Sequence, residues 1–322
     1  MTNNSDVSTK IKKRFCKDFS VPVNVFEEPY FSERIELLGF TDKFEELKLL
    51  IAERFDNDEQ KFFQYYNELQ DDIIDYIKGS LTYNNFIEEN INNYAMYVVL
   101  DVTKGDIYDD RYISKKFISI DMVKANISAL VHYSLNNDRE KEKFNDGLYD
   151  YKHFIRKFTD IDYFAESKYL RQVIFGNCNS KRQITYEKCL MSLVYVTIQR
   201  EFSEITDKVV AFHNDEIIID ATDIDALDKL RDIVNVVSNT KIPLRTEYFK
   251  LGKVSGTGVF IKHNLITGEK ELKCNNPVET VFVSRNMHNQ EIIDDDYVIS
   301  TQYGLAKLLD KPDIEVDFEF RD

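Results

Sequence analysis

Through the first ninety residues, apolar side chains return every three or four positions, the spacing of helices with one buried face. In TDKFEELKLLIAERF, Phe44, Leu47, Ile51 and Phe55 fall on one side. Thr41 stands where an N-cap belongs, and acidic residues follow early. EQKFFQYYNELQDDIIDYIKG continues the period and stops at Gly79. Its Phe and Tyr residues lie on helical faces, which reads as core rather than a platform for stacking bases.

Near residue 115 the pattern changes. KKFISID reads as a short strand ending on Asp121. MVKANISALVHYSL reads as a helix with Val123, Ile127, Leu130 and Val131 on one side, and LNNDREKEKFNDGL as an exposed polar loop. A helical block runs from about Tyr149 to Ile205, broken at Gly176-Asn177-Cys178-Asn179. Then KVVAF and EIIID flank an Asn-Asp corner, which predicts a β-hairpin. Thr222 is placed to cap a helix whose Leu227, Leu230, Val234 and Val237 share a face. IPLRTEYFKLGKV returns to extended chain, and GVFIKHNLITGEKELKC reads as a hairpin turning at Thr267-Gly268. Beyond it, VETVFVS and IEVDFEF read as strands and TQYGLAKLLD as a short helix. The whole predicts an α+β fold.

The 322 residues suffice for one large domain or two ordinary ones. Hydrophobic residues make up 43% and charged residues 31%, a globular rather than a disordered balance. The net charge of -15 argues against a protein that coats DNA over its whole surface. It leaves room for a local basic channel. Basic residues gather at Lys10, Lys12, Lys13, Arg14 and Lys17, at Lys115-Lys116, and around Lys168, Arg171, Lys181 and Arg182. Each cluster also reads as an ordinary solvated face. Cys16, Cys178, Cys189 and Cys274 show no zinc-ligand spacing and no disulfide framework, so reduced thiols are expected. No apolar run approaches the roughly 20 residues that cross a bilayer, and no secretory leader is visible. A cytoplasmic location and no membrane partner are the expectation.

The chemistry concentrates in acids. Asp121 ends one apolar strand, and Asp215-Glu216 occupy a hairpin tip. Taken singly, Asp121 reads as a helix N-cap and His213-Asn214-Asp215-Glu216 as a turn. If the strand and hairpin pair in one sheet, the three carboxylates converge. Divalent cations relieve the repulsion among such groups and hold phosphate oxygens in return.

The joint order of strand, Asp, helix, basic helical block, acidic hairpin, helix and strand resembles the palm of right-handed polymerases, most of all family A DNA polymerases. SIDMVKANISALVHYS is similar to that family's motif A, with Ser119, Asp121, His132 and Ser134 in its places. VVAFHNDEIIID resembles motif C, with an extra Asn214 inside its His-Asp-Glu core. IPLRTEYFKLGK resembles the stretch after the palm helix, with one extra residue before Gly252. KYLRQVIFGN resembles the fingers helix, with Arg171 in place of its key Lys, Phe175-Gly176 retained, and Asn179-Ser180 in place of Tyr-Gly. Reverse transcriptases are the near rival, through Asp121 and the acidic hairpin.

The resemblance spans residues 115–255. It implies a palm over 115–135 and 206–265 and a fingers-like helical insertion over 136–205; outside it stand a helical, thumb-like N-terminal region in 1–114 and a mixed α/β appendage in 266–322, which resemble no family. It makes Asp121 and Asp215 ligands of Mg²⁺, with Mn²⁺ as a substitute, and Glu216 a supporting acid. Lys168 and Arg171 would meet the triphosphate, with Lys181 and Arg182 as further candidates. Asn126 falls where these polymerases block the ribose 2′-hydroxyl, so relaxed sugar discrimination is expected. The implied partners are a nucleic-acid template and primer, nucleoside triphosphates and a protein partner. The Asn-, Lys- and Ile-rich composition suits a phage or mobile element. An RNA-synthesising enzyme, or an inactive palm-derived subunit of a replication or transcription complex, are the alternatives.

Overall fold

A computed structural model of the chain describes residues 7–90, 92–95, 107–136, 151–223, 226–254, 256–273 and 276–308. The N-terminal part is helical: α1 (Thr9–Phe19), α2 (Tyr30–Leu37), α3 (Thr41–Phe55), α4 (Glu59–Gly79), α5 (Leu81–Glu88) and α6 (Asn92–Ala95). The four apolar residues expected on one face of α3 are all buried. Thr41 is the first residue of α3 rather than its cap, and Phe40 before it makes no side-chain cap bond. Asp58 does cap α4, accepting from the backbone N–H groups of Gln60 and Lys61.

Strand β1 (Lys116–Met122) is followed by α7 (Ala125–Asn136), α8 (Tyr151–Ile155), α9 (Asp162–Glu166), α10 (Lys168–Gly176), α11 (Ser180–Glu201) and α12 (Ser203–Thr206). Asn179 interrupts the helical block in a left-handed conformation, and its side chain caps α11. The hairpin β2 (Val209–Phe212) and β3 (Glu216–Asp220) comes next, then α13 (Ala226–Ser238) and β4 (Leu244–Lys253). A second hairpin, β5 (Phe260–Asn264) and β6 (Lys270–Lys273), precedes α14 (Pro277–Met287) and a small ribbon of β7 (Val298–Thr301) and β8 (Gly304–Lys307).

The first six strands form one antiparallel sheet in the order β2-β3-β1-β4-β5-β6. The central β3 thus lies between β1 and β2, a split β-α-β arrangement. The alternation along β1 separates two faces. Ile118, Ile120 and Met122 join Ile217 and Ile219 in the main core with the helices. Phe117, Ile218, Phe249, Leu251 and Phe260 form a smaller cluster on the other side. Each fully buried large apolar side chain of this kind contributes about 1.5–3 kcal/mol. On this second face the apolar cluster gives way to polar residues along the same strand, from Phe117 through Ser119 to Asp121.

Five expectations are corrected here. VETVFVS is helical, inside α14, because Asn276 caps it and Pro277 occupies its first turn. Its Val281, Phe282 and Val283 are all buried, so no one-sided helical pattern survives in the sequence. TQYGLAKLLD does not form a helix over its described part, because Gly304 at φ 114° turns the β7–β8 ribbon. Val123 is exposed in a turn before α7. The buried face of α13 is Leu230, Ile233 and Val237, while Leu227 and Val234 face solvent. Thr222 spends its hydroxyl on the backbone N–H of Lys116 rather than on α13.

IEVDFEF and positions 137–148 of the expected polar loop lie outside the described residues. So does Cys274, while Cys16, Cys178 and Cys189 are free thiols. No described helix is long and apolar enough to cross a membrane.

Candidate active site

The acidic residues meet at one end of the sheet. Asp121 on β1 is the register partner of Glu216, the first residue of β3. Directly opposed residues on antiparallel strands point to the same face. The turn carrying Asp215 is closed by the His213 N–H, which donates to the Glu216 carbonyl at 2.8 Å. It is tied to β1 by the Met122 N–H, which donates to the Asp215 carbonyl at 2.7 Å. The two distant sequence segments are therefore locked together through backbone.

Side chains then fix the carboxylates. Ser119 Oγ donates to Glu216 Oε1 at 2.6 Å. Arg245 on β4, opposite Asp121 in register, donates from Nη2 to Asp121 Oδ2 at 3.1 Å. Arg245 also lies 3.5 Å from Glu247, which Lys262 pairs from β5. Asp121, Glu216, Arg245, Glu247 and Lys262 line an open cleft of about 640 Å³ whose far wall is the charged β5–β6 hairpin.

Burial, followed by the neighbouring Glu216 charge, pushes the Asp121 carboxyl up to about 6; Arg245 opposes this and Asp215 adds to it. Such an arrangement suits a hard divalent cation, which takes oxygen donors and cancels the mutual repulsion. Among the described residues no three acidic, His or Cys side chains already stand at metal-ligand spacing. A cation held by Asp121 and Asp215 would complete its shell from water or phosphate oxygens.

A further acid stands behind the hairpin. Glu187 of α11 is buried, and burial followed by the Asp215 charge raises its carboxyl to about 7. Its Oε1 and both amide atoms of the fully buried Gln183, one turn earlier, have no partner among the described residues. Sequence reasoning passed over this pair because a Gln and a Glu four apart look like solvated helix. It also passed over Arg245, although Arg245 and Glu247 alternate along β4 as one charged face.

The remaining candidates divide. Asn126 is half-buried in the first turn of α7, just past the turn that follows Asp121. Lys168 is exposed at the start of α10. Arg171 is half-buried with its guanidinium 5.5 Å from the centre of the Tyr151 ring. Lys124 approaches the same ring at 5.6 Å, so Tyr151 links α10 to the chain just after Asp121. Lys181 is exposed on α11.

Arg182 is not available to a triphosphate. It is buried, its Nε donates to the Phe86 carbonyl at 2.5 Å, and its Nη2 donates to the Glu89 carbonyl. These are carbonyls that the end of α5 leaves without helical partners. His132 and Tyr186 share a hydrogen bond at 3.0 Å, joining α7 to α11 behind the sheet. Comparison of the chain with protein-family models and with curated proteins finds no match to either.

Proposed function

We propose that this chain is a template-directed nucleotidyltransferase with a right-handed polymerase palm, extending a nucleic-acid 3′ end with Mg²⁺ or Mn²⁺. The observation that carries the reading is the register opposition of Asp121 and Glu216, with the turn that bears Asp215 tied by backbone to β1 at the same end of the sheet. Asp121 and Asp215 would hold the metal. Divalent cations held there would supply positive charge to the attacking and leaving oxygens. Ser119 orients Glu216, and Arg245 fixes one oxygen of Asp121. Arg171 and Lys124 offer positive charge to the triphosphate from the side of Tyr151. The primer 3′-oxygen forms a bond to the α-phosphorus in line as the bond to pyrophosphate breaks.

A second reading, an inactive palm-derived subunit, is favoured by one observation. Arg245 and Ser119 already engage one oxygen each of Asp121 and Glu216, as protein groups would where no cation binds. Primer extension on DNA and RNA templates, with each nucleotide set and with Mg²⁺ present or chelated, separates the two. An enzyme gives Mg²⁺-dependent extension that Asp121→Asn and Asp215→Asn abolish without unfolding the chain. Absence of extension on every template with both metals, from well-folded protein, would sink the catalytic reading.

A further inference from the structure

Two basic clusters that lie far apart in sequence come together on one surface. In the first, Lys12 withdraws: it is buried and pairs with Glu28 at 2.6 Å. Lys13 turns aside to the Phe26 ring, 5.4 Å from its centre, and Lys10, Arg14 and Lys17, spaced four and three apart, form one stripe along α1. Tyr169 of α10 supports this stripe, with the Arg14 guanidinium 5.0 Å and the Lys17 ammonium 5.5 Å from its ring centre. Phe63 and Tyr66 of α4 support the other end, 4.0 Å from Lys10 and 4.5 Å from Arg14. Lys168, next to Tyr169, is exposed.

The row then continues toward the acidic end of the sheet. Arg171 lies one turn beyond Lys168 on α10, and shares the Tyr151 ring with Lys124. Lys124 is three residues past Asp121.

Three charges of this row, those of Lys10, Lys17 and Lys168, are not cancelled by a carboxylate among the described residues. The buried Asp18 senses Arg14, and Glu59 at the far end accepts from the backbone and hydroxyl of Ser8. A chain with 57 acidic and 42 basic residues has ample carboxylates to pair these lysines. Like charges repel at such helical spacing, and an external polyanion relieves them. The buried and half-buried rings hold the row in place, and a row of cations along one face suits the phosphate backbone of a nucleic-acid strand.

We infer that Lys10, Arg14, Lys17 and Lys168 form a contact surface for the phosphate backbone of a nucleic-acid strand that leads toward Arg171, Lys124 and the carboxylate end of the sheet. Only the direction of the strand rests on the polymerase reading; phosphate binding by the α1 stripe does not require catalysis. The test is fluorescence anisotropy of a labelled single-stranded oligonucleotide of about 20 nucleotides with the full chain, at several salt concentrations. Lys10→Ala/Lys17→Ala/Lys168→Ala is compared with Lys78→Ala/Lys116→Ala/Lys157→Ala, three exposed lysines outside the row. Circular dichroism melts check that both variants fold.

The stripe variant is expected to bind at least about tenfold more weakly near 0.1 M salt, and to lower the slope of log Kd against log salt by about two. The control variant is expected to bind like the parent. Equal weakening in the two variants overturns the inference, as does parent protein that binds anionic phospholipid vesicles but no oligonucleotide. The two readings fail separately. Stripe-dependent binding without primer extension removes the polymerase and keeps the surface; extension with unaltered binding in the stripe variant does the reverse.

Discussion

Asp121 and Glu216 stand directly opposite one another on adjacent antiparallel strands, and Arg245 and Ser119 hold one oxygen of each. Like charges in opposed positions destabilise a sheet. The fold tolerates this at the end of the sheet where the apolar cluster around Phe117 and Phe249 has given way to polar residues. Removing one of the two charges should therefore not harm the metal-free protein.

For Asp121→Asn the expected result is a melting temperature without divalent ions at or above that of the parent. Added Mg²⁺ or Mn²⁺ should raise the melting temperature of the parent, because a ligand that binds only the folded state stabilises it. The variant should lose most of that rise. A thermal melt with and without millimolar metal reads both effects. A parent that gains nothing from either ion removes the metal site.

Glu187 gives a pH prediction. Burial, and after it the Asp215 charge, raises its carboxyl in the folded state to about 7, above the ordinary 4.5. Between those values the folded state binds more protons than the unfolded state, so the contribution of Glu187 to stability falls as pH rises from about 4.5 to about 7. The shift corresponds to about 3 kcal/mol, as an order of magnitude. Other carboxyls, including Glu28 and Glu247, are held low and contribute in the opposite direction. The informative quantity is therefore the difference between the parent and Glu187→Gln in urea unfolding with chelator present. That difference should move in favour of the variant as pH rises through this window. A pH-independent difference would contradict the burial argument.

What the sequence reveals depends on whether the signal is local. The β2–β3 hairpin was legible because two apolar runs flank an Asn-Asp corner, and the end of α4 because Gly79 closes a long helical period. Strand alternation tells which residues share a face but not which strand lies beside which. The opposition of Asp121 to both Glu216 and Arg245 was therefore visible only in the register. The misread VETVFVS fails for a related reason: a helix packed on several sides loses its polar face, and its β-branched residues then mimic a strand. Arg182 was misjudged because charge suggests phosphate, while the carbonyls that bind it come from a helix end about ninety residues earlier.

Arg182 and Lys181 should accordingly separate in experiment. Arg182→Ala leaves the Phe86 and Glu89 carbonyls without this donor and empties the space beside the Phe86 ring. A loss of roughly 2–4 kcal/mol in urea unfolding is expected, within the range for breaking buried charge-assisted hydrogen bonds. Lys181→Ala, at an exposed position, should stay within about 0.5 kcal/mol of the parent. Similar small effects for both would mean that the Arg182 contacts do not form.

The last prediction concerns sugar choice, and it depends on the proposed nucleotidyl transfer. Asn126 is the second residue of α7, just past the turn that follows Asp121, and it is only half-buried. Its amide is smaller than the Glu or aromatic side chain that the polymerase resemblance implies at this position. It can also donate or accept a hydrogen bond. A ribose 2′-hydroxyl should therefore meet a partner rather than a wall. Single-nucleotide incorporation with matched dNTP and rNTP is expected to show comparable kcat/KM for the two. Asn126→Ala should lower the ribonucleotide value more than the deoxyribonucleotide value, by roughly the worth of one neutral hydrogen bond, about five- to tenfold. A strong preference for dNTPs that is unchanged in Asn126→Ala would show that another residue reads the sugar.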